Sequence, residues 1–109
     1  MLPAILFFAT SAVSSSPGFW ASTASTEMLA TICAEAHDEA RRADFCTGYV
    51  LATYDTLAIN GFICPNPNSS TDQVMALARR RLADHPEDWD KQPSYVLSAT
   101  FKKVFPCKR

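Results

Sequence analysis

Glycine, histidine and surplus basic charge are all scarce in this chain. Of its 109 residues three are Gly and two are His, and 10 basic side chains stand against 11 acidic ones. None of the glycines lies in a G-x-G-x-x-G or Walker-type pattern, which excludes a phosphate-cradling loop. Near-neutral charge excludes a polyanion binder, which needs Lys and Arg in excess to meet phosphate. No Ser/His/Asp set, H-E-x-x-H or G-x-S-x-G is present, so the sequence carries no hydrolase signature. No C-x-x-C or paired-His spacing occurs, so neither a zinc site nor any other metal or cofactor is expected. No apolar run reaches the roughly 20 residues of a membrane span. The apolar content, at 48% of residues, is nevertheless that of a folded domain.

The first charged side chain is Glu27. Ahead of it, Leu2 to Ala9 form an apolar run that extends weakly to Val13 and meets a serine cluster at Ser14, Ser15 and Ser16. This fits the apolar part of an export signal, with Ala21 or Ala24 as its last residue, although no Lys or Arg precedes the run. The expected organisation is a signal peptide over residues 1–24, or an uncleaved N-terminal apolar segment, followed by one domain over 25–109. Within that domain, six acids and two bases lie between Glu27 and Asp55, and five acids and eight bases lie beyond. A surface divided in this way suits a protein partner better than a polyanion.

Cys33, Cys46, Cys64 and Cys107 make an even number in a short chain, the pattern of a small exported domain held by disulfides. The mature chain reads as four helices. Met28, Leu29, Ile32, Cys33, Ala36 and Ala40 form an amphipathic stripe on a first helix that ends near Arg41 and Arg42. A second runs from near Asp44 to about Ile59, with Phe45, Tyr49, Ala52 and Thr56 in one row and Cys46, Val50 and Leu57 in the next. Asn60-Gly61 stops it. Ser70 and Gln73 form a capping box that opens a third helix, with Val74, Leu77, Ala78 and Leu82 inward and Arg79 to Arg81 at or near the surface. His85-Pro86 ends that helix. After the polar stretch Pro86 to Gln92, Pro93 opens a fourth, with Val96, Leu97, Thr100, Phe101, Val104 and Phe105 on its inner side.

The fold class expected is therefore all-α, a small four-helix up-and-down domain. Cys46 and Cys64 sit at opposite ends of the second helix, about 22 Å apart, too far for a bridge whose Cα atoms must lie within about 7 Å. An up-and-down order favours Cys33–Cys46 with Cys64–Cys107, and Cys33–Cys64 with Cys46–Cys107 stays open.

Few residues invite a chemical reading. His37 points away from Glu35 on a helix and reads as part of a solvated acidic face. Asn68-Ser69-Ser70 is a formal glycosylation sequon, relevant only in a eukaryotic secretory pathway. The most informative stretch runs from Asp84 to Lys91, where a lone Trp89 lies among Glu87, Asp88 and Asp90. Such a Trp is either folded onto the core or exposed as a binding anchor.

Phe45-Cys46-Thr47-Gly48-Tyr49-Val50, then Asp55, Ile63-Cys64-Pro65, Gln73, His85-Pro86 and Phe105-Pro106-Cys107 occur in order. Together they resemble the Rap/Tai group of type VI secretion immunity proteins, over nearly all of the mature chain. Cys64 is followed directly by Pro65, where the group usually has an intervening residue. The resemblance implies a periplasmic, disulfide-bonded, all-helical and non-enzymatic protein, often a homodimer, that binds and blocks an injected peptidoglycan amidase effector. Such amidases resemble Cys/His hydrolases working in a groove, which an inserted loop can occlude. The expected contact is the loop of Glu87, Asp88, Trp89 and Asp90, with Trp89 as anchor and the carboxylates beside the amidase His. The motif residues themselves read as fold-makers, with Gly48 allowing close helix packing. Two other classes remain: a small periplasmic acid-stress chaperone, and an envelope-associated module that meets the membrane only through an uncleaved N-terminal segment.

Overall fold

The computed structural model describes residues 22–35 and 40–108. The expected signal segment lies almost wholly outside the described residues, as do His37 and Glu39. Four α-helices follow in order: α1 (Thr26–Ala34), α2 (Ala40–Ile59), α3 (Thr71–Asp84) and α4 (Pro93–Val104). A single 3-10 turn, Pro86–Asp88, stands between α3 and α4, and no strand occurs among the described residues.

Helix α1 is capped by Ser25, whose hydroxyl accepts from the Met28 amide at 3.1 Å, and it buries Thr26, Leu29, Ala30 and Cys33. It ends at Ala34, not near Arg41, and α2 already starts at Ala40, not near Asp44. The Ala- and Glu-rich composition that suggested a longer first helix is worth only tenths of a kcal/mol per residue, ~0.7 at most. The Cys33–Cys46 disulfide decides instead, because its Cα atoms are 5.1 Å apart. With the first helix carried to Arg41, Cys33 would lie eight residues, about 12 Å, short of its end and out of reach of a Cys46 near the start of the next helix.

Of the two rows expected on α2, the second faces the core: Cys46, Val50 and Leu57 are buried. The first faces outward, with Phe45, Ala52 and Thr56 exposed and Tyr49 half-buried. The helix closes on Gly61, which adopts φ 76°. Its amide donates to the Ala58 carbonyl and the Phe62 amide donates to the Leu57 carbonyl. That left-handed closure needs a residue without Cβ. Gly48 does not behave as expected: a Cβ placed there would meet nothing within 4 Å, so it serves no close helix approach among the described residues.

The capping box of α3 is complete, with the Ser70 hydroxyl accepting from the Gln73 amide and the Gln73 side chain accepting from the Ser70 amide. Val74, Met75, Ala78 and Leu82 are buried, while Leu77 is half-buried and Arg79 and Arg80 are exposed. Helix α4 starts with Pro93 in its first turn and buries Val96, Leu97 and Phe101. Val104, expected inside, is 46% exposed. The helix stops there and the chain turns at Phe105, whose carbonyl accepts from the Cys64 amide at 2.9 Å, carrying Cys107 to Cys64.

The core runs from α1 to α4, with Leu29, Val50, Ile63, Val74, Leu82, Leu97 and Phe101 among its nearly inaccessible side chains. Tyr54 packs edge-on against Phe101 and Phe105, at 5.4 and 5.6 Å between ring centroids. Tyr49 meets Ser94 at the start of α4, and Lys102 near its end lies over the Phe62 ring. Helices α2 and α4 therefore run the same way and α3 returns between them, the up-and-down order. The disulfides are Cys33–Cys46 and Cys64–Cys107, and the alternative pairing is excluded.

Candidate partner-binding site

Between α3 and α4 the chain cannot continue as helix, because Pro86 pushes His85 out of the α region. His85 takes φ −127° and ψ 70°, and the 3-10 turn follows at once. The Asp88 amide donates to the His85 carbonyl, the Trp89 amide to the Pro86 carbonyl and the Lys91 amide to the Asp88 carbonyl. These local bonds bend the segment into a tight arch. The start of α1 holds its far side: the Thr26 amide and hydroxyl both donate to the Lys91 carbonyl, at 2.9 and 2.7 Å, and the Glu27 amide donates to the Trp89 carbonyl at 3.1 Å. Thr26 is fully buried by this contact.

The four residues singled out in this loop divide into two pairs. Trp89 is half-buried against the core, and its indole N–H donates to the Leu82 carbonyl at 2.9 Å, near the end of α3. Asp88 is buried, with 4% exposure. Its Oδ2 accepts from Arg81 at 2.5 Å and its Oδ1 from Lys91 at 3.1 Å. Glu87 and Asp90 are exposed. The arch thus turns an aromatic and a carboxylate inward and presents two carboxylates outward.

The electrostatics follow from those contacts. Burial pushes the Asp88 carboxyl up, but hydrogen bonds from Lys91 and Arg81, with their positive charges, outweigh it and leave it below its ordinary value. The hydrogen bond with His85 lowers the Glu87 carboxyl, and the bond to Asp88 raises the Lys91 ammonium. His85 bridges the two groups, with Nδ1 2.8 Å from Glu87 Oε2 and Nε2 3.4 Å from Arg81 Nη1. Because a guanidinium only donates, Nε2 is the acceptor and Nδ1 the donor in this arrangement.

His85, Glu87 and Asp88 place ligand atoms within 4.8 Å of one another. Both Asp88 oxygens are already engaged by cations, whose charge opposes a metal ion at that position. All four cysteines are in disulfides, and the two ring nitrogens of His85 are engaged by Arg81 and Glu87. The arrangement is built to hold a shape and display charge.

Beside the arch, α3 and α4 line a shallow groove of about 280 Å³ that includes Leu77, Thr100 and Val104 together with the charged Arg80, Arg81, Asp84 and Lys103 and with His85. Sequence reasoning found the arch but missed what holds it. Arg81 precedes Asp88 by seven residues, a spacing that shares a face only on an unbroken helix, and Pro86 breaks the helix between them, so no periodicity signals the contact. Thr26 lies 65 residues from Lys91.

A family model described as Rap1a immunity proteins matches residues 25–107, which includes both disulfides and the whole arch. No curated protein and no solved structure matches the chain.

Proposed function

The chain belongs to the Rap1a immunity protein family, and on that premise we propose that it is a periplasmic immunity protein that binds a type VI secretion peptidoglycan amidase and occludes its groove. Membership carries the immunity function, protection against a secreted effector by binding it. The observation that carries the finer reading is the arch at 86–91, a hydrogen-bonded turn that leaves the Glu87 and Asp90 carboxylates exposed. Glu87, whose Oε2 meets His85, and Asp90 are the exposed carboxylates that would face a cationic or imidazole-bearing groove. Trp89 shapes the projection from beneath and contributes whatever edge remains exposed.

Occlusion of this kind needs no reaction by the inhibitor, which accords with a non-enzymatic protein. Two disulfides support an oxidising compartment such as the periplasm. The uncharged segment ahead of Glu27 supports export by a signal peptide. The outward row of α2, with Phe45 46% exposed and Gly48 and Ala52 beside it, is the face best suited to a homodimer.

The test is a titration of the oxidised protein against the purified product of the adjacent reading frame, comparing loop variants with a remote control. Glu87→Ala combined with Asp90→Ala should weaken binding more than tenfold, and Trp89→Ala with Asp90→Ala likewise. Asp55→Ala, on α2, should leave it unchanged. Equal affinity for all four proteins would overturn the assignment of the arch.

A further inference from the structure

The Arg81–Asp88–Lys91 cluster is a poor device for stability alone. Asp88 is 4% exposed, so its charge has been taken out of water. Arg81 meets it through Nη2, while its own Nε is buried with no hydrogen-bond partner. The Arg81 and Lys91 side chains stay 35% and 49% exposed, so the pairs gain little in stability while the Asp88 end bears the desolvation and Arg81 Nε stays unsatisfied. What such a pair does supply is one geometry in place of several.

We propose that Asp88 is the keystone of the arch and that Arg81 and Lys91 are positioning residues, which fix the outward display of Glu87 and Asp90. This rests on the reading that the arch contacts the effector. Each strut ties a different part of the segment to the rigid frame. Arg81 extends from the last turn of α3 and holds the middle of the turn through Asp88. Lys91 closes the exit of the arch on the same carboxylate. Its carbonyl in turn receives both donors of buried Thr26 at the start of α1. The Trp89 indole pins the intervening residue to Leu82.

With the carboxylate neutralised, the ties from Arg81 and Lys91 lose their charge assistance together. The arch then samples several shapes, and each population that cannot bind reduces the apparent affinity in proportion. His85 supports the same frame from outside by joining Arg81 to Glu87.

The experiment uses the full chain with its disulfides formed, and Asp88→Asn, Arg81→Met, Arg81→Lys and Lys91→Met. Amide and indole hydrogen exchange is measured by NMR, and binding is titrated with the purified product of the adjacent reading frame. The expected result for Asp88→Asn and Arg81→Met is at least tenfold faster exchange at the Trp89 indole and at the Thr26 and Glu27 amides. Exchange at Val50, Ala78 and Phe101 should keep its native rate. Affinity should fall at least tenfold in both, with Arg81→Lys recovering part of the loss. Lys91→Met, the mildest change, should show the same pattern more weakly and keeps the test open where a harsher variant fails to fold.

Unchanged exchange in the arch would overturn the keystone role. Faster exchange with native affinity would overturn positioning, if Glu87→Ala with Asp90→Ala still weakens binding more than tenfold. Native affinity in that surface double variant as well would instead refute the contact reading on which the proposal rests.

Discussion

Breaking the two disulfides separately pits chain entropy against burial. The Cys64–Cys107 bridge closes a separation of 43 residues and Cys33–Cys46 one of 13. Restriction of the unfolded chain alone makes the first worth about 4 kcal/mol and the second about 3 kcal/mol. The environments reverse that order. Cys33 and Cys46 are 4% and 0% exposed, whereas Cys64 is on the surface. Replacing the buried pair by Ala also removes two packed sulfur atoms, each comparable to a buried methylene at about 1 kcal/mol. Cys33→Ala with Cys46→Ala is therefore expected to cost about 5 kcal/mol, and Cys64→Ala with Cys107→Ala about 4 kcal/mol.

Kinetics should separate the bridges further, because a thiolate must reach sulfur to exchange with it. Under mild reductant at neutral pH, alkylation followed by peptide mass analysis should label Cys64 and Cys107 in folded protein. Cys33 and Cys46 should be labelled only at the rate of global unfolding. Denaturant midpoints of the two double variants give the energies. Labelling of the buried pair first, or of all four thiols together, would refute the reasoning.

Two further outcomes follow from single groups. Gly48→Ala should stabilise the protein by about 0.5–1 kcal/mol, since a helix-interior glycine has open space for a methyl group; a lower thermal midpoint would show that the position is filled by something outside this chain. On the acid side, the lowered carboxyls of Asp88 and Glu87 contribute stability above their ordinary values of 3.8 and 4.5, lost as pH falls through the lower folded values. The thermal midpoint should be insensitive to these two groups near neutrality and fall below about pH 4.5, with a shallower acid limb in Asp88→Asn. An equally steep limb in that variant would remove Asp88 from the account.

Much of the fold was legible because its signals are local. Ser70 with Gln73, Asn60-Gly61, His85-Pro86 and Pro93 each act within one turn, and each marks a boundary the structure keeps. Helix length alone excluded a Cys46–Cys64 bridge. The errors arose where distant partners override local preference. Helix α1 stops early because Cys33 must meet Cys46, and Val104 turns outward because the chain leaves the helix there to reach Cys64.

The arch shows the same limit. Its polar residues and lone Trp stood out in the sequence, which left Trp89 either folded back or exposed. The bond to Leu82 and packing on the core give the first arrangement. That Asp88 turns inward while its neighbours Glu87 and Asp90 face out depends on Arg81, which meets it across a proline turn, on Lys91, and on Thr26, which reaches Lys91 only through the packing of α1.

Protection of peptidoglycan tests the central claim most directly. The purified product of the adjacent reading frame would be incubated with peptidoglycan and increasing amounts of the oxidised protein, and released fragments counted. An immunity protein of this design should abolish cleavage at an equimolar ratio, with one copy bound per amidase. Undiminished cleavage at a large excess of folded, oxidised protein would contradict it.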